Sequence, residues 1–154
     1  MGVLLRIESF LVSIASTQMT DMLSIADTLT HDGIATIPGT TGTGLIVTAA
    51  VNIGAAGTVV FTPSDTPLGQ IPRNLPVNLS ICQPNPTTGA CINPATPGAN
   101  STVNVAAGQT VYFSIFVQGR GTAIPFDPAN TRVFIIGTEG TTPVGEASAA
   151  IRTQ

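Results

Sequence analysis

Residues 103–118 read Val103-Asn-Val-Ala-Ala-Gly108-Gln-Thr-Val-Tyr-Phe-Ser-Ile-Phe-Val-Gln118. Val103 and Val105 mark a short strand, and Ala106-Ala-Gly-Gln109 supplies a turn. Beyond the turn, Val111, Phe113, Ile115 and Val117 alternate with Tyr112, Ser114, Phe116 and Gln118. A period of two sends each set to one face of a strand, so this stretch predicts a short strand, a turn and a long strand with one apolar face.

The same grammar extends in both directions. Upstream, the breaker cluster Gly39–Gly44 precedes Leu45, Val47, Ala49, Val51 and Ile53, which alternate on one face as far as the turn Gly54–Gly57. Thr58 to Thr62 gives a further strand, and Leu75, Val77, Leu79 and Ile81 another. The proline-rich residues 84–97 read as a loop. Downstream, Arg132–Gly137 and Val144–Arg152 complete the set after loops at Gly119–Gly121 and Phe126–Asn130. Seven or eight short strands without an intervening helix predict an all-β antiparallel sandwich over residues 33–154.

Residues 1–31 differ. Ile7, Phe10, Leu11 and Ile14, then Met22, Ile25, Ala26 and Leu29, recur at helical spacing, with Ser9 and Thr20 placed to cap two short helices. The competing readings are an extended assembly segment or a leader. The apolar run Phe10–Ser16 is a poor signal peptide, because Glu8 sits in the would-be basic region and no small-x-small cleavage site follows. Gly44–Thr62 has the length of a membrane span. Its glycines, Asn52 and β-branched residues instead predict two strands, so no transmembrane span is expected.

Charge is the compositional oddity. Only 8% of residues are charged and none is lysine, against roughly 25% charged in ordinary soluble domains. Net charge is −3, and the five basic residues, all arginine, are scattered, which argues against nucleic acid. The two cysteines, Cys82 and Cys91, bracket a polar Pro/Gly segment, and the one histidine, His31, is distant. A local disulfide is preferred over two free thiols or a metal site, and it points to an oxidising compartment.

Asn104–Gln118 resembles the "V-x-x-G-x-T-x-x-F-x-I-x-V" strand pair of bacterial extracellular immunoglobulin-like and fibronectin-like modules. Arg132–Thr153 looks like their closing hairpin, and Leu75–Cys91 like their cysteine-containing hairpin. The resemblance covers roughly residues 40–154 and rests on loose hydrophobic patterns. It implies an immunoglobulin-like sandwich at a bacterial cell surface or in the medium, and it brings no catalytic residue with it. Antibody-type features are missing: there is no tryptophan, and the cysteines are too close in sequence to bridge two sheets.

A search for chemistry finds none assembled. His31 beside Asp32 lacks a recognisable nucleophile and reads as an exposed loop imidazole. The eight carboxylates are dispersed at turns. Asp65 and Asp127, which precede or follow prolines, read as Asx-turn residues, with a calcium site as the lesser alternative. The Gly39–Gly44 cluster lacks the lysine and helix of a phosphate loop. Asn78-Leu-Ser and Asn100-Ser-Thr are formal glycosylation sequons that also suit polar β-turns. No enzyme activity and no cofactor are expected.

What remains is apolar surface without lysine to guard it. A self-associating surface or filament subunit is the leading expectation, with Ile7, Phe10, Leu11, Ile14, Leu45, Val47 and Val51 as candidate assembly contacts. Its partners would be further copies or neighbouring surface proteins. The alternative is a spacer or adhesion module of a cell-surface protein that contacts a protein or glycan through loops such as Gln83–Ala90. A carbohydrate-binding module is weaker, because no tryptophan is available to stack on sugars.

Overall fold

The computed structural model describes residues 18–154. Ten strands form two five-stranded sheets: β1 (Met22–Thr28), β2 (Ile34–Ile37), β3 (Thr43–Asn52), β4 (Gly57–Ser64), β5 (Val77–Pro84), β6 (Cys91–Gly98), β7 (Ser101–Val105), β8 (Thr110–Gly119), β9 (Arg132–Glu139) and β10 (Thr142–Thr153). The first sheet has the order β1-β3-β8-β5-β6 and the second β2-β10-β9-β4-β7. All pairings are antiparallel except β2 with β10, which run parallel over Ile34–Ile37 and Ala150–Thr153.

Without β6 and β7, the order is that of a constant-type immunoglobulin domain, strands A-B-E-D facing G-F-C. The first strand leaves one sheet and its continuation, β2, joins the other beside the last strand. β6 and β7 are an insertion between the fourth and fifth strands that adds one edge strand to each sheet.

Three strands, β1, β2 and β6, depart from expectation. Met22–Thr28 is a strand paired with β3, Met22 opposite Asn52 and Thr28 opposite Ile46, not a helix. The helical spacing of Met22, Ile25 and Ala26 yields to that pairing: Met22 is buried, Ile25 points outward and Ala26 packs against the core. Thr20 caps no helix; its backbone N–H and hydroxyl both donate to the Glu139 carboxylate, at 3.0 and 2.9 Å. The sandwich therefore begins before Gly33, taking in part of the segment expected to stand apart. Ile7, Phe10, Leu11 and Ile14 lie outside the described residues. β6 carries Pro94 and Pro97, which an edge strand tolerates because one side of its ladder is unpaired.

The core is built by alternation. Ile46 and Ala50 of β3, Val111, Phe113, Ile115 and Val117 of β8, and Ile81 of β5 meet Val59 and Phe61 of β4, Val133 and Ile135 of β9, and Ile151 of β10. Phe61 and Phe113, one from each sheet, stack at a centroid distance of 4.3 Å, tilted by 36°. β1 reaches across to β10 at the bulge between Pro143 and Gly145. A Cβ on Gly145 would collide with the Met22 carbonyl, so only glycine permits that approach.

Candidate functional site: an open apolar sheet face

The outer faces of the two sheets are treated differently. On the second sheet, Phe134 and Ile136 point away from the core yet are only 7% and 9% exposed. The segment between β4 and β5 lies against them. The Arg73 guanidinium sits 5.5 Å from the centre of the Phe134 ring and donates to the Asn130 carbonyl at 2.9 Å. Asp65 anchors the segment by accepting from the Leu75 N–H at 2.7 Å. Glu146, on the same face, accepts from the Leu68 backbone, and burial raises its carboxyl above the ordinary value.

Among the described residues, no such cover lies on the first sheet. Register fixes which side chains share its outer face. Leu23 stands opposite Val51, and Ile25 opposite Ala49. Ala49 in turn stands opposite Tyr112, and Leu45 opposite Phe116. The core face of β3 carries Gly44, Ile46, Thr48, Ala50 and Asn52, so the more apolar of its two rows is the one that faces outward. Ile25 is 67% exposed, Tyr112 57%, Leu23 53% and Val47 40%. Directly opposed large side chains on three adjacent strands make this a continuous apolar patch, which a soluble monomer rarely leaves open.

Three of the candidate assembly contacts, Leu45, Val47 and Val51, therefore share this patch. The sequence reading left Leu23 and Ile25 in a segment that could be helical, extended or a leader, and it set Tyr112 and Phe116 on the side of β8 away from the core without counting them as contacts. The available signal was the weak polarity of that side: Tyr and Phe alternating with Ser and Gln do not make a solvated face.

At the patch border, Asp27 shares the outward row with Val47. It accepts from the Thr28 N–H and pairs with His31 Nδ1 at 2.6 Å, and these bonds hold its carboxyl below the ordinary value. His31 is the exposed loop imidazole expected. Asp32 accepts from Thr30, Ile34 and Thr28, which shapes the turn into β2 and lowers its carboxyl too. Asp127 accepts from the N–H groups of Ala129 and Asn130 and from the Asn130 amide, an Asx-turn. Asp65 is engaged by Thr66 and Leu75. Among the described residues, no three His, Cys, Asp or Glu side chains come together.

Cys82 and Cys91 form a disulfide between β5 and β6, with Cα atoms 5.6 Å apart. The loop it closes is held internally: the Asn85 side chain accepts from the N–H groups of Thr87 and Thr88. No described helix is long and apolar enough to cross a membrane.

No protein-family model and no curated protein matches the chain. Among solved structures it is similar to a β-glucosidase from Listeria innocua, at 10% identity and a TM-score of 0.41 over 88% of this chain and 16% of that one. It is also similar to the β-glucosidase EmGH1 from Erythrobacter marinus, at 14% identity and a TM-score of 0.38 over 86% of this chain and 15% of that one. A non-cellulosomal cohesin from Archaeoglobus fulgidus overlaps at 10% identity and a TM-score of 0.38, covering 87% of this chain and 91% of the cohesin. This chain thus spans a small part of each glucosidase. The sandwich assignment rests on the strand order given above.

Proposed function

We propose that this chain is a non-enzymatic, extracellular structural subunit that self-associates through the outer face of β1, β3 and β8. One observation carries the reading: the second sheet's apolar outer face is covered by the chain's own β4–β5 segment, whereas among the described residues nothing covers the first sheet's at the exposed Leu23, Ile25, Val47 and Tyr112. The disulfide supports an oxidising compartment. The scarcity of charge, with no lysine in the sequence, suits a surface buried against copies of itself.

A second reading, the spacer module, has an observation of its own. β1 starts at the pole of Asn52 and Gly54, while β10 ends at the opposite pole, where Gln154 bonds Ile37 and Gly39. Entry and exit at opposite poles suit modules strung end to end.

Sedimentation velocity across a wide concentration range decides between them. The subunit reading expects a mass that grows with concentration and falls back to monomer in Val47→Asp. A wild-type chain that stays monomeric throughout would return the protein to the spacer reading.

A further inference from the structure

At the pole where β10 ends, the loop between β8 and β9 and the last residues of β10 enclose a cleft of about 460 Å³, lined by Ile124, Pro125, Phe126, Arg152 and Gln154 among others. That volume is within the range of small-molecule sites. The walls are held by the chain's own bonds. The Ile124 N–H donates to the Thr153 hydroxyl at 2.9 Å, and the Thr153 N–H donates to the Ile124 carbonyl at 3.1 Å. Ile124 is buried and pins the loop to the core. At the loop's far end the Thr131 N–H donates to the Asp127 carbonyl at 2.7 Å, and the Thr131 hydroxyl meets the Ile151 carbonyl at 3.1 Å. The end of β10 is fixed by Gln154, which donates to the Ile37 carbonyl and accepts from the Gly39 N–H. A site built this way has little ordering left to do when something binds.

Within this frame Arg152 is unlike the other described arginines. Arg73 donates to the Asn130 carbonyl, Arg120 to the Leu75 carbonyl, and Arg132 to the Pro128 carbonyl and Ser148. The Arg152 Nε is buried and meets no acceptor among the described residues. The one ion pair among those residues joins His31 to Asp27, so no carboxylate neutralises Arg152. Its guanidinium sits instead over the Phe126 ring, 5.7 Å from the centre. Phe126 itself is 55% exposed, although Ile124 beside it is buried. A guanidinium stacked on a ring keeps its in-plane N–H groups for a planar acceptor.

We infer that this cleft binds a small organic carboxylate with a flat apolar body, its carboxylate on Arg152 and its ring against Phe126. A carboxylate presents two oxygens in the plane of a guanidinium, the geometry such a donor matches best. Arg152 is the only cationic residue in the lining, which suits one negative charge better than the two of a phosphate. Ala123, Ile124, Pro125 and Phe126 supply the apolar wall. These residues belong to β10 and the β8–β9 loop and none lies on the open face of β1, β3 and β8, so the site stands whether or not copies associate.

The test titrates the full-length protein with benzoate, followed through its backbone amide NMR signals, with benzamide as the uncharged counterpart and sulfate as the bare anion. Benzoate should bind in the millimolar range or tighter and shift the amides of residues 123–126 and 152–154. Benzamide, and benzoate on Arg152→Gln, should bind at least about tenfold more weakly. Phe126→Ala should weaken benzoate about threefold or more. Unchanged thermal melting is the check on both variants; if Arg152→Gln melts early, the benzamide comparison on wild type carries the test of charge. No shift at about 20 mM benzoate, where a millimolar site would be nearly full, overturns the inference. So do shifts centred on Val47 and Tyr112, or an affinity that Arg152→Gln leaves intact. Sulfate or benzamide binding as tightly as benzoate overturns it too, because the cleft would then read charge without the ring or the ring without charge.

Discussion

Asn52 is the residue on which most of the lower pole depends. It is fully buried at the end of β3, and its side chain uses both ends. Oδ1 accepts from the N–H groups of Asp21 and Gly54, while Nδ2 donates to the carbonyls of Ala55 and Ala106. Three chain segments meet there: the entry to β1, the turn into β4 and the turn into β8. Asn52→Leu fills similar space but leaves two part-buried N–H groups and two carbonyls short of partners. It should cost about 3 kcal/mol or more in urea unfolding, beyond the effect of a surface change. Glu146 presents the opposite case. Burial raises its carboxyl above the ordinary 4.5, so the folded state holds a proton more tightly than the unfolded chain. Its contribution to stability therefore declines as pH rises from about 4.5 through the folded value, and above both the charged form carries a desolvation penalty. Glu146→Gln should raise the melting temperature relative to wild type at pH 7, with the difference shrinking toward pH 4. A difference that grows as pH falls would contradict burial as the cause.

At the scale of elements, the disulfide adds a constraint where the ladder is weakest. β5 and β6 pair through only a few residues with register shifts, and β6 contains two prolines. A loop of about ten residues closed in the unfolded chain is worth about 2.7 kcal/mol in the chain-entropy model. Pro84 and Pro86 already stiffen that loop and lower the figure. The double variant Cys82→Ala, Cys91→Ala should lose about 2 kcal/mol in denaturant unfolding while keeping the sandwich, since its core residues lie mainly on other strands. Loss of all cooperative unfolding would show that β6 organises more of the first sheet than its pairing suggests. The disulfide itself was legible from cysteine spacing, and the strands of the central ladder from their alternation. β1 was not, because Met22, Ile25 and Ala26 satisfy a helix and a strand alike over so short a stretch, and β3 decides between them by offering an edge. β6 was hidden by its prolines, and β2 by being four residues long. The candidate face was half legible. Leu45, Val47 and Val51 stood out, but their partners come from β1 and β8, and only the register brings them together.

At the scale of the whole molecule, the source of the attraction should show in its response to salt. Among the side chains named on the open face, only Asp27 at the border is charged, and it is already paired with His31. The net charge of −3 gives copies a weak mutual repulsion. Raising ionic strength from about 0.1 to about 1 M shortens the Debye length from about 10 to about 3 Å, which removes that repulsion and screens any charge contact made by Asp27. Burial of Leu23, Ile25, Val47 and Tyr112 is untouched by screening and is strengthened by a salting-out anion such as sulfate. Association should therefore hold or tighten in sodium sulfate, and Asp27→Asn should change it less than Ile25→Asp does. The same comparison in sedimentation velocity separates the two sources of binding energy. If affinity fell about tenfold or more as sulfate was added, the contact would be electrostatic, and the apolar face would not be the surface that joins the copies.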